Sequence, residues 1–128
     1  MGGNVVHFEV PFDDGERAVA FYRDVFGWQI TSMPEMQYNL VSTGPTGEDG
    51  APTEPGYIGG GMMSRQDPVQ SPVITLSVED VDATLQTIES HGGSTVMPKQ
   101  AVGQMGFAAY FRDSEGNTPY RIKERASE

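Results

Sequence analysis

Residues 4–28, NVVHFEVPFDDGERAVAFYRDVFGW, decide the fold. Val6, Phe8 and Val10 alternate with Val5, His7 and Glu9, which is the two-residue period of a half-buried strand over 4–10. One face of that strand is apolar and the other carries His7 and Glu9. After Pro11 the pattern changes. Asp13 followed three residues later by Glu16 resembles a capping box, and Ala18, Phe21, Tyr22 and Val25 recur at helical spacing until Gly27.

Working outward, the same order returns. A single offset of 66 residues maps Phe8 on Ile74, Val10 on Leu76, Asp14 on Asp80, Val19 on Leu85, Tyr22 on Ile88 and Gly27 on Gly93. Past the helix an offset of 69 places Met36 on Met105, Tyr38 on Phe107, Leu40 on Ala109 and Gly47 on Gly116. Strands are predicted over 28–31, 36–43, 73–78, 94–97, 106–112 and 117–123. A second helix starts at Asp80, carries Val81, Leu85 and Ile88 on one stripe and ends at Gly92-Gly93. Residues 57–63 also read as a strand, in which Gly59, Gly60 and Gly61 imply close approach by another group. Aligning Gly60 with Tyr120 sets the last strands of the two halves in one register. Ahead of 57–63, residues 44–56 form an acidic connection with Glu48, Asp49 and Glu54 and no Lys or Arg. Each half is strand, helix and three strands, giving an α+β chain with module 1–65 and module 70–125 inside one domain of 1–128.

Composition narrows the function classes. The 128 residues carry 8 basic and 18 acidic side chains, a net charge of -10, which repels phosphate backbones and anionic lipid surfaces. Neither nucleic acid nor membrane is an expected partner. The absence of cysteine excludes disulfides, thiolate metal sites and cysteine nucleophiles. No run approaches the ~20 apolar residues of a membrane span, and the opening Met-Gly-Gly-Asn lacks the regions of a signal peptide, so a cytoplasmic location is expected.

The phrase Glu16-Arg17-Ala18-Val19-Ala20-Phe21-Tyr22-Arg23-Asp24-Val25-Phe26-Gly27-Trp28, with His7 before it and Asp113-Ser114-Glu115-Gly116-Asn117 near the end, resembles the vicinal oxygen chelate superfamily. That is the group of glyoxalase I, bleomycin-resistance proteins and extradiol dioxygenases. The resemblance implies two tandem βαβββ modules forming an open, cupped β-sheet barrel with helices outside. A small-molecule site then lies in the concavity, closed either within one chain or across a dimer. It also implies that metal-dependent members hold their ion on the first and last strands. Here His7 takes the first-strand position, Val73 stands at its repeat mate, and Tyr120 falls where the last-strand carboxylate is expected. Glu9 shares a strand face with His7, but two donors fall short of the about three protein ligands of a catalytic divalent ion.

No metal or cofactor is therefore expected, and the reading is a binding protein for a partly apolar small molecule. The alternatives are a metal-dependent lyase, isomerase or dioxygenase, and a metal-free acid-base enzyme using His7. The expected ligand-binding set is His7, Glu9, Tyr38, Thr75, Phe107 and Tyr120, with His7 and Tyr120 in one shared site. A homodimer is expected because strand edges need covering. The seven methionines, Met36, Met62, Met63 and Met105 among them, suit either a pocket of adaptable shape or simple gap filling. The Gly59–Gly61 run lacks the Lys-Ser/Thr of a phosphate loop, and His91 is expected to complement a helix end.

Overall fold

The computed structural model describes residues 3–34, 37–46, 56–102 and 106–124. The expectations placed on Met36, Met105, Gly47 and the acidic residues 48–54 lie outside the described residues. Two compact units emerge: a first module of His7–Pro72, and a second of Val73–Glu128 joined by Met1–Val6.

In the first module the elements are β1 (Val5–Phe12), α1 (Gly15–Phe26), β2 (Gln29–Met33), β3 (Tyr38–Ser42) and β4 (Gly59–Ser64). The sheet order is β2-β3-β4-β1, with β1 and β4 parallel and the other neighbours antiparallel. In the second they are β5 (Val73–Ser77), α2 (Val81–Ser90), β6 (Ser94–Ala101), β7 (Phe107–Arg112) and β8 (Tyr120–Glu124), in the order β5-β8-β7-β6. Again the first and last strands are parallel. Both modules are therefore βαβββ units of one topology. Their register also repeats, since Glu9 pairs Gly61 in one and Thr75 pairs Arg121 in the other, as the Gly60-Tyr120 alignment requires.

Helix α1 starts one residue later than the capping-box reading places it. The N-cap is Asp14, whose extended backbone lets its side chain accept from the Arg17 amide at 3.1 Å. Asp13 instead forms an ion pair with Arg65 Nε at 2.9 Å. Asp80 caps α2 in the same way, accepting from the Ala83 amide at 3.0 Å. Gly27 ends α1 in the left-handed region at φ 74°, where a residue without Cβ is favoured.

Each helix covers one face of its own sheet. In the second module Val81 and Leu85 of α2 are buried with Ala109, Phe111 and Ile122. In the first, Val10, Val41 and Met62 form the buried cluster, against which Phe8, Ala18, Tyr22, Trp28 and Ile30 pack. The expected stripe of α1 is only half right: Ala18 and Tyr22 face the sheet, whereas Phe21 and Val25 are exposed. A 3.6-residue period shows that a helix has an apolar side without fixing where along that side the sheet sits. Met62 is fully buried in this helix-side cluster, the gap-filling role of the two weighed for the methionines.

Candidate functional site

The face of the first sheet opposite α1 is built by register. Phe8 and Val10 of β1 point to the helix side, so His7 and Glu9 point to the other. His7 pairs Gly59 and Glu9 pairs Gly61 on β4, while Leu40 of β3 also pairs Gly61. Tyr38, two residues before Leu40, shares that face.

β1 and β3 are not neighbours; β4 lies between them, which separates their backbones by about 9 to 10 Å. Tyr38 bridges that gap because β4 has no side chains in the way. A Cβ at Gly61 would fall inside the phenol of Tyr38, so only glycine at 61 lets the ring lie flat across the strand. The Tyr38 hydroxyl thereby comes to 2.8 Å from His7 Nε2. Gly60, facing the other way, makes the same allowance for the Phe8 ring on the helix side. The glycine run thus seats two aromatic rings, one on each face of the sheet.

Next to this pair stands Glu9, a carboxylate only 3% exposed. An imidazole, a phenol and a carboxylate on one sheet face make a hydrogen-bonding array with both donors and acceptors. The His7–Tyr38 contact fixes the ring, and either partner can hold the shared proton according to the tautomer. Such a pair can accept a proton from a bound molecule or donate one to it.

The second module differs at the matching positions. Val73 replaces His7 and is buried, and Thr75 replaces Glu9 and is fully buried. Arg121 replaces Gly61 and donates from Nη1 to Thr75 Oγ1 at 3.4 Å. The residue of β8 directed away from α2 is therefore Arg121, and Tyr120 lies on the helix side. Its ring stacks on Phe111 at 5.4 Å between centroids and packs against the core cluster, as does Phe107. Phe107 also carries Lys99 Nζ 4.5 Å from its ring centre. The strand alternation puts Tyr120 with the apolar Ile122, which is why counting from Asn117 assigns it the wrong face. Gly61 was legible only as a point of close approach, without the Tyr38 ring that makes it, and Arg121 was missed; its signal was the alternation of Arg121, Ile122 and Lys123, with the apolar residue marking the core side.

Residues 113–117 fix the entry to β8. Asp113 Oδ1 accepts from the amides of Glu115 and Asn117 at 2.9 and 2.8 Å, and Oδ2 accepts from Asn117 Nδ2 at 2.8 Å. The Asn117 side-chain bond, with the backbone amides behind it, holds the Asp113 carboxyl below its ordinary pKa. His91, the other histidine, bonds the Thr87 carbonyl at 2.9 Å through Nδ1 and Ser90 Oγ at 3.1 Å, a helix-end arrangement.

A resident divalent ion does not fit this donor set. His7 and Glu9 offer two donors on one strand, while the matching positions of the second module hold Val73, Thr75 and the cation Arg121. Among the described residues no group of three or more His, Cys, Asp or Glu could hold a metal. No described helix is long and apolar enough to cross a membrane.

Residues 4–44 match the family model described as bleomycin resistance protein-like N-terminal. A glyoxylase-like domain-containing protein from Didymella fabae is 29% identical over 123 residues, covering 92% of this chain and 91% of that one. Among solved structures, a glyoxalase/bleomycin resistance protein/dioxygenase superfamily member from Vibrio splendidus superposes with a TM-score of 0.61 at 14% identity, covering 97% of this chain and 99% of its own. A methylmalonyl-CoA epimerase from Streptomyces coelicolor superposes with a TM-score of 0.63 at 18% identity, covering 99% and 100%. The two structures speak to the fold, and the family match falls on β1, α1, β2 and β3, the elements that supply His7, Glu9 and Tyr38. The chain is thus similar in sequence to bleomycin resistance protein-like and glyoxylase-like proteins, and it shares its fold with the glyoxalase/bleomycin resistance protein/dioxygenase structure.

Proposed function

We propose that the protein binds a small, partly apolar molecule on the helix-free face of the first module, through His7, Tyr38 and Glu9, without a resident catalytic metal. The observation that carries this reading is the 2.8 Å bond between His7 Nε2 and the Tyr38 hydroxyl, made possible by Gly61. Polar side chains held rigidly before a ligand arrives lower the ordering cost of binding, and the hydrogen-bonding array supplies orientation. With a net charge of -10, cationic and neutral ligands are favoured over polyanions. A CoA thioester, the ligand class named for the epimerase, is expected to bind more weakly than an uncharged molecule of similar apolar content.

The same hydrogen bond supports a second reading, metal-free acid-base catalysis. An imidazole paired to a phenol is a proton acceptor whose orientation is set in advance. The two readings share a site and differ in turnover.

A thermal-shift panel of neutral, cationic and CoA-bearing small molecules, followed by titration of any hit, tests the proposal. His7→Ala is expected to weaken binding by about 1 to 3 kcal/mol, because the Tyr38 hydroxyl is then left without this partner. Chemical conversion of the hit by the wild type and not by His7→Ala selects the catalytic reading. One tightly held divalent ion per chain after dialysis, lost in His7→Ala, overturns the metal-free assignment.

A further inference from the structure

Aromatic rings repeatedly take the place of side chains at glycines of the first module. On the helix-free face the Tyr38 phenol crosses Gly61, and on the helix side the Phe8 ring covers Gly60. A third ring follows the same rule past the strand ends. The register that sets Leu40 against Gly61 and Val41 against Gly60 continues to Ser42 beside Gly59 and to Gly44 beside Tyr57, where Thr43 Oγ1 donates to the Ile58 carbonyl at 2.7 Å. A Cβ at Gly44 would lie 2.7 Å from two atoms of the Tyr57 ring, so this ring too fills the space of a missing side chain. Gly59 is different. Among the described residues a Cβ built there meets only the Val41 carbonyl oxygen, at 3.1 Å, and no ring. Gly60 and Gly61 are buried, whereas Gly59 is partly exposed.

Gly59 therefore forms the bare floor of a slot on the helix-free face. It pairs with His7 of β1 on one side and stands beside Ser42 of β3 on the other, and these flanking strands lie about 9 to 10 Å apart, wide enough for one ring laid flat between them. Along β4 the Tyr38 phenol over Gly61 closes one end, and Tyr57, two residues before Gly59 and on the same face, closes the other. A backbone without Cβ lets a flat group come into van der Waals contact across its whole area. A puckered, saturated ring rides higher and loses part of that contact. The walls set the chemistry of the ring's edge. Ser42 Oγ donates its own proton to the Gly44 carbonyl at 2.6 Å, so toward a ligand it acts as an acceptor.

We propose that Gly59 seats an aromatic ring of the ligand flat on the β4 backbone, and that this ring carries an O–H or N–H donor on its edge. The proposal rests on the reading that His7 and Tyr38 bind the ligand. Titration of the isotope-labelled protein with β-naphthol to about 1 mM, followed by NMR, tests it. The Gly59 Hα resonances are expected to move upfield in the ring current. β-Naphthol is expected to bind about tenfold more tightly than decahydro-β-naphthol, which keeps the hydroxyl and loses the flat face, and more tightly than methyl β-naphthyl ether, which keeps the face and loses the donor. Gly59→Ala is expected to erase the preference for the flat alcohol. Ser42→Leu fills the same slot from β3 without touching the β4 backbone and is expected to erase it too, so the test does not hang on the folding of one variant. Equal affinity for β-naphthol and its saturated analogue, a preference that survives both variants, or no movement of Gly59 with β-naphthol overturns the ring seat. If Tyr38→Phe still weakens both alcohols in that case, binding at His7 and Tyr38 stands without it. Equal affinity for the ether and the alcohol overturns the donor requirement. β-Naphthol affinity lost in Gly59→Ala but untouched by Tyr38→Phe and His7→Ala keeps the ring seat and strikes the His7–Tyr38 reading instead.

Discussion

The two modules share a backbone plan and have divided the work between them. In the second, α2 buries Val81 and Leu85, β8 fills its helix-free face with Arg121, and the position matching His7 is an apolar, buried Val73. In the first, α1 buries no residue fully, β4 opens with three glycines, and the space above Gly61 is taken by the Tyr38 phenol reaching His7. Helix α2 is the more deeply buried of the two helices, and the first module presents the hydrogen-bonded His7–Tyr38 pair. Polar groups and glycines on a sheet face forgo apolar burial, and this difference agrees with the general trade between stability and function.

The largest expected effect separates the two cores. Leu85→Ala should cost about 2 to 5 kcal/mol in chemical denaturation, because the leucine is buried in a filled cluster. Val19→Ala, at the matching position of the less buried α1, should cost clearly less; equal costs would dissolve the distinction in packing.

Gly61→Ala comes next. It should displace the Tyr38 phenol and reproduce the loss of affinity of Tyr38→Phe, about 1 to 3 kcal/mol measured by titration of a ligand found by screening. Retained affinity in Gly61→Ala would mean that the phenol's position over β4 is not what the ligand reads.

A smaller effect sharpens the comparison at the helix starts. Asp14→Ala and Asp80→Ala each remove an N-cap worth about 1 kcal/mol. The Glu124 carboxylate also accepts from the Val81 amide, so α2 keeps a second acceptor when Asp80 is lost. Thermal unfolding should therefore show a larger decrease for Asp14→Ala than for Asp80→Ala.

The smallest effect concerns acid. The folded-state pKa of Asp113 lies below its unfolded value, so its stabilising contribution is complete above the unfolded value and is lost as pH falls through the folded one. Asp113→Asn should flatten that part of the acid limb of the stability curve and leave the neutral region parallel to wild type. An unchanged acid limb would show that the 113–117 turn does not discriminate between the two protonation states.

Much of this was legible in the residues. The alternation in 4–10 and the 66-residue offset carried both modules, both helices and the face shared by His7 and Glu9, because those signals are local. Tyr38 was legible as a candidate, but not as the partner of His7. That contact depends on a third strand, β4, passing between them with glycine at one position, which is a non-local fact. Tyr120 was misjudged for a related reason. The 113–117 turn is closed by Asp113 and β8 begins only at Tyr120, so the face is set by the pairing with β7 and not by distance from the turn. Two adjacent aspartates likewise hid which of them caps α1, since the choice rests on the Arg65 that captures Asp13.

The central claim, that the first module and not the second presents the binding side chains, is tested most directly by comparing two conservative hydroxyl deletions with one ligand. Calorimetric titration of a screened ligand should show affinity lowered about tenfold or more in Tyr38→Phe and unchanged in Tyr120→Phe, whose ring lies in the helix-side cluster. Loss of affinity in Tyr120→Phe with none in Tyr38→Phe would contradict the account.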